Sequence, residues 1–150
     1  MRKLIAIAAV SAVALAVPGS AGAGQEKTKY LGSFEPTGDM SFVLKKTNNG
    51  KKIFNFKWVG FPLDCRGTPE TSSSRLLFAV EVENKEFKTR AVDNEDNPGA
   101  LLKLKGELQG RTLADGTMSI EGRNVPVDGG GRKKCDSGTL DWSASTLAGR

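Results

Sequence analysis

Histidine is missing from all 150 residues, and the chain has only two cysteines. Without imidazole there is no Ser-His-Asp or Cys-His nucleophile system, no HExxH zinc hydrolysis and no histidine-ligated metal centre. The two cysteines are far apart and form no CxxC pair, so no soft-metal or redox motif is present either. Apolar residues are scarce once the N-terminus is set aside. The first 23 residues hold 16 of them, and the remaining 127 keep 41, about 32%. A single domain is the largest body such a chain can bury. No cofactor-binding motif appears: Asp128-Gly129-Gly130-Gly131 lacks the spacing and following helix of a phosphate loop.

The one long apolar run lies at the start. Arg2 and Lys3 precede an uncharged stretch from Leu4 to Val17, then Pro18-Gly19, then the small residues Ala21-Gly22-Ala23. This is the layout of a secretory signal peptide over residues 1–23, cleaved after Ala23 with Ala21 as the reserve site. The run is too short for a comfortable membrane span. The expected mature chain is therefore secreted, has no transmembrane span, and begins at Gly24 with residues 24–28 flexible. It keeps 20 Lys+Arg against 17 Asp+Glu. So mild an excess is no footprint for nucleic acid.

Beyond residue 28 the apolar residues alternate with period two, the mark of strands with one buried face. Strands are expected around Tyr30–Phe34, at Met40/Phe42/Leu44 and, after the Asn49-Gly50 turn, at Phe54/Phe56/Trp58 with Ile53, Asn55 and Lys57 opposite. Leu76/Phe78/Val80/Val82, Phe87/Thr89/Ala91, Leu102/Leu104/Leu108, Met118/Ile120 and Leu140/Trp142/Ala144 follow. The pattern predicts an all-β fold: one antiparallel domain of about eight strands over residues 29–146, an up-and-down barrel or a flattened sandwich, with residues 147–150 frayed. Phe42, Phe54, Phe56, Trp58, Phe78, Phe87 and Trp142 are the expected core rings. Outward-pointing Val43, Ile53, Leu77 and Leu101 are the expected apolar surface.

Cys65 and Cys135 are expected to form a disulfide, since an even cysteine count in an exported chain reads first as a bridge. In an eight-strand meander Cys65 follows the third strand and Cys135 precedes the eighth, so both fall at one rim. Two basic clusters stand out: Lys45, Lys46, Lys51 and Lys52 around the Asn-Gly turn, and Arg132, Lys133 and Lys134 before Cys135. They form a candidate surface for an anionic cell-envelope component. The competing reading is solubility and edge protection. The loop Asp93–Gly99 is rich in oxygen donors, but its glycine falls one place late for a calcium loop and no bidentate Glu follows, so it reads as a turn.

The ending from Cys135 through Asp-Ser-Gly-Thr-Leu-Asp-Trp-Ser to Ala144, with the early Tyr30-Leu31-Gly32 and a Phe-rich hairpin running into Cys65, resembles small secreted two-cysteine all-β proteins of high-GC Gram-positive bacteria. The similarity spans most of residues 28–144, although this chain carries more Lys and Asn and less Arg than that group. The resemblance implies the fold and export; no activity attaches to the group, so no catalytic residue carries over. The expected function is thus non-catalytic binding at the cell surface or outside the cell. A small-molecule or lipid carrier would need an inward void. A hydrolase would need at least two carboxylates converging in a cleft, and Asp136 and Asp141 are the only acids near the Cys135 corner. A binder is expected to show an exposed apolar or charged patch and no such cleft.

Overall fold

The computed structural model describes residues 26–93, 95–96 and 98–147. The signal segment and its Ala23 site lie outside these residues, as do Asn94, Asn97 and residues 148–150. Ten strands follow one another: β1 (Lys27–Phe34), β2 (Asp39–Thr47), β3 (Gly50–Cys65), β4 (Thr68–Arg75), β5 (Val80–Val82), β6 (Glu86–Val92), β7 (Leu101–Gln109), β8 (Leu113–Pro126), β9 (Arg132–Asp136) and β10 (Leu140–Thr146). All pairings are antiparallel.

Eight of the ten close a circuit. β1 pairs β2, β2 pairs β3, β3 pairs β5, and β5 meets β6 through reciprocal backbone bonds between Glu83 and Glu86. β6–β7, β7–β8 and β8–β10 continue it, and β10 returns to β1. This is an up-and-down barrel. β4 and β9 are additions to it: they pair with the far halves of β3 and β8, the two longest strands. Neither showed in the sequence pattern, because Thr68–Arg75 is polar throughout and Arg132–Asp136 buries only Cys135. Backbone pairing alone makes them strands. The N-terminus is also more ordered than expected, since Lys27 and Thr28 pair with Lys45 and Leu44.

The alternation expected along Phe54, Phe56 and Trp58 is broken by a bulge. Phe42 faces two residues of β3, Asn55 and Phe56, and Asn55 takes φ 51°, a left-handed conformation that asparagine tolerates better than most side chains. The extra residue reverses the faces on one side of it. Ile53 is fully buried, Phe54 turns outward and is half-buried, and Phe56 and Trp58 stay inside. Ile53 is therefore core, not surface, and Phe54 is surface, not core. Phe78 leaves the core as well. Only Val80–Val82 of its expected strand forms, and Phe78 lies 47% exposed in the connection before it.

Five rings occupy the barrel axis. Tyr30 stacks on Phe42 at 4.7 Å, and both Phe42 and Trp142 meet Phe56, Phe87 and each other at 5.9–6.1 Å. Phe34 and Phe61 form a second contact, edge to face at 4.7 Å. Two glycines make room for this cluster. Gly106 and Gly116 are cross-strand partners, flanked by Phe87 on β6 and Trp142 on β10. A Cβ on Gly106 would overlap the Phe87 ring, and one on Gly116 would lie 2.6 Å from Cζ2 of Trp142. The rings pack directly against bare backbone.

Cys65 ends β3 and Cys135 sits in β9, and the two are bridged with their Cα atoms 4.0 Å apart across 70 residues of chain. The bridge lies beside the one residue pair joining β3 to β9, Asp64 with Asp136. It fastens the far end of β3 to β9.

Two measurements check this packing. Gly106→Ala should cost about 2–3 kcal/mol in urea unfolding, because the Phe87 ring must leave its seat. Gly129→Ala, whose added Cβ meets nothing closer than 3.6 Å, should stay within about 0.5 kcal/mol of the parent. Equal losses would show that Phe87 does not rest on Gly106. Removing the bridge with the Cys65→Ser, Cys135→Ser pair should cost about 4 kcal/mol on the chain-entropy account. No loss would mean that β3 and β9 hold together without it.

Candidate functional site

The hairpin lysines divide by strand parity. Lys46 and Lys51 are cross-strand partners at the barrel mouth, next to the turn closed by Thr47 and Gly50. Lys45 and Lys52 share the outer face with Phe54, opposite the buried Phe42 and Ile53. Lys45 is also the direct partner of Lys27 on β1, and Lys52 is the partner of Glu81 on β5. Three lysines thus stand side by side across three strands.

The neighbouring rows extend this face. Lys29, Val43 and Phe54 form the second, and Leu31, Ser41, Lys57 and Arg75 the third. Rows are about 7 Å apart along the strands, and strands about 4.8 Å apart across them. Six cations (Lys27, Lys29, Lys45, Lys52, Lys57 and Arg75) therefore surround the half-buried Leu31, Val43 and Phe54. The Lys45 ammonium lies 4.5 Å from the Phe54 ring centroid, a cation–π contact. Lys52 meets Glu81 at 3.4 Å, the one ion pair seen on this face among the described residues. Like charges in direct cross-strand register destabilise a sheet, so this arrangement works against folding.

The second basic cluster is different in kind. Arg132 donates to Asp93 at 2.7 Å and to the Asn124 carbonyl at 3.2 Å, and Lys133 pairs with Glu70. Both charges are matched locally, which leaves Lys134 exposed. The structure does not bring the two clusters together. Thirteen residues of β3 separate Lys52 from the Cys65 corner, roughly 40 Å of strand.

Asp93 shows why its loop reads as a turn. One carboxylate oxygen accepts the Gly99 and Ala100 N–H groups at 2.9 Å, and the other accepts from Arg132. Partial burial pushes its carboxyl up, but these hydrogen bonds prevail and hold it below the usual carboxylate range. Asn97 lies outside the described residues. Among those described, no group of three or more Asp, Glu or Cys is arranged to hold a metal ion. Asp128, ahead of the triple glycine, accepts from the Thr71 and Ser73 hydroxyls and ties the β8–β9 turn to β4. Asp136 caps its own turn through the Gly138 N–H, and Asp141 faces Thr117, so the two do not form a catalytic pair.

A cleft of about 850 Å³ runs over β5–β8, lined by Glu81, Glu83, Glu86, Lys88, Glu107 and Asp115 among others. Glu86, Glu107 and Asp115 are successive cross-strand partners on its floor. The sequence reading expected no carboxylate-lined cleft, and this one is present. All three acids are exposed to water and share the floor with lysines.

Sequence reasoning missed Lys27, Lys29, Lys57, Arg75 and the outward Phe54. The inward Tyr30 carried the signal for the first two, because its parity turns both lysines out.

No family model matches the chain, and no solved structure matches it. A curated protein, polyribonucleotide nucleotidyltransferase 2, mitochondrial, of Arabidopsis thaliana, is 31% identical over 118 residues. The match takes in 75% of this chain and 12% of that protein, so the chain spans about one-eighth of the relative it resembles.

Proposed function

We propose that the protein is an exported, non-catalytic binding module that holds an anionic component of the cell envelope on the outer face of β1–β3. The observation carrying this reading is the register of Lys27, Lys45 and Lys52. A sheet that sets three ammonium groups side by side, with only Lys52 matched by an acid, Glu81, loses stability by it. An anion laid across them recovers that loss. Phe54, Val43 and Leu31 supply apolar contact between the charged rows. A carrier role finds less support, since five rings fill the barrel axis where a ligand would sit.

A soluble linear polyphosphate serves as the test polyanion. Binding should weaken steeply with added salt, as expected when lysines displace counterions. The Lys27→Glu, Lys45→Glu pair should lose about tenfold or more in affinity. Lys103→Glu, on β7 and away from this face, should change it little. The Arabidopsis relative is named for a polyribonucleotide, itself a polyanion, so RNA belongs in the same titration. RNA held more tightly than polyphosphate, or equal losses from the Lys103→Glu variant, would contradict the reading.

The carboxylate row Glu86–Glu107–Asp115 favours one alternative, a hydrolase acting in the β5–β8 cleft. All three are exposed to water, and Lys88 and Lys105 line the same cleft. Hydrolysis of an envelope polymer that is abolished by Glu107→Gln would establish the alternative.

A further inference from the structure

The connection between β4 and β5 is the most exposed apolar feature among the described residues. Its two ends are fixed. Leu76 is buried and donates its N–H to the Phe56 carbonyl at 2.8 Å, while Val80 is buried and pairs with Ile53. Between these anchors the chain has three residues, Leu77, Phe78 and Ala79, alongside only two of β3, Phe54 and Asn55. The surplus must project. Leu77 is 84% exposed and Phe78 47%. Small polar residues would close such a connection equally well, and the preceding Ser72-Ser73-Ser74 shows that β4 otherwise uses them.

Cations flank this tip on its β3–β4 side, while on the β5 side Ala79 borders the cleft lined by Glu81 and Glu83. Arg75 lies two residues before Leu77 and is the cross-strand partner of Lys57. Lys52 lies beyond Phe54 on the other side, and Phe54, Val43 and Lys29 continue the row across β3, β2 and β1. An apolar projection beside lysines and an arginine suits an interface whose surface is anionic and whose interior is apolar. A soluble anionic polymer would satisfy the cations and leave Leu77 in water.

Resting on the reading of the β1–β3 face given above, we propose that the Leu77–Phe78 tip inserts into an anionic lipid surface while Lys57 and Arg75 seat on the headgroup phosphates. The long lysine and arginine stems let their charges stay at headgroup level while the tip goes deeper.

The test uses the mature chain, from Gly24, and vesicles of phosphatidylcholine with or without phosphatidylglycerol. Binding should require phosphatidylglycerol and fall with salt. Leu77→Ser with Phe78→Ser should weaken vesicle binding about tenfold or more, while polyphosphate affinity stays within about twofold. The single Leu77→Ser variant, at the most exposed position, guards against a folding defect, and unchanged urea midpoints confirm both variants are intact. Wild-type protein that binds polyphosphate but no vesicle, or a serine variant that binds vesicles as well as the parent, overturns the insertion and leaves the polyanion reading standing. Failure to bind either probe overturns both. Polyglutamate binding that also depends on the tip would assign it to an acidic protein partner and overturn the lipid assignment.

Discussion

One extra residue in β3 decides which side of the sheet each aromatic serves. Asn55, in a left-handed conformation, sets two residues against Phe42 and reverses the alternation between Ile53 and Phe56. On one side of the bulge Ile53 closes the barrel. On the other, Phe56 enters the ring cluster with Phe42 and Trp142, and Trp58 is buried beyond it. Phe54 is left outside, where Lys45 covers its ring. A straight strand would have to choose between burying Ile53 and burying Phe56. The bulge allows both, and in doing so it gives the lysine rows their aromatic centre.

The rest of the barrel makes that face rigid. β3 is held along one edge by β2 and along the other by β5 and β4, and its far end is bridged through Cys65 to β9. Gly106 and Gly116 let Phe87 and Trp142 press against backbone from the opposite wall, where they meet Phe42 across the barrel. Charge is divided over this frame. The outer face of β1–β3 is cationic, whereas that of β6–β8 sets the carboxylate row Glu86, Glu107 and Asp115 beside the cations Lys88, Arg90, Lys103 and Lys105. On the proposed reading, the cationic face orients the molecule toward its anionic target before contact. Its effect weakens with ionic strength because most of these groups are exposed.

The even cysteine count was enough to read the disulfide, although Cys65 lies within β3 and Cys135 within the added strand β9. Period-two alternation was enough to read the all-β class and the meander, because those depend on which residues are buried along each strand. Leu102, Leu104 and Leu108 show it plainly: all three are buried, with Lys103, Lys105 and Glu107 exposed. β4 was illegible for the same reason, since its neighbours are satisfied by backbone pairing and only Ser72 is buried. The bulge escaped because asparagine at positive φ is only a weak local signal, and a strand without it looks equally regular in sequence. The candidate site failed in part for that reason. Lys45 and Lys52 were visible as hairpin lysines, but Lys27, Lys29, Lys57 and Arg75 join them only once strand pairing brings the rows into register. Arg132 and Lys133 had the opposite fate. Their partners Asp93 and Glu70 lie 39 and 63 residues away in sequence, so their neutralisation could not be read locally.

The orientation of Phe54 against Phe56 tests this account most directly. Urea unfolding of Phe56→Ala should show a loss of about 3–5 kcal/mol, the cost of emptying a buried ring site. Phe54→Ala should lose only about 1 kcal/mol, because its ring lies on the outer face under Lys45. Similar losses at the two positions would place both rings in the core, remove the bulge at Asn55, and with it the aromatic centre of the proposed binding face.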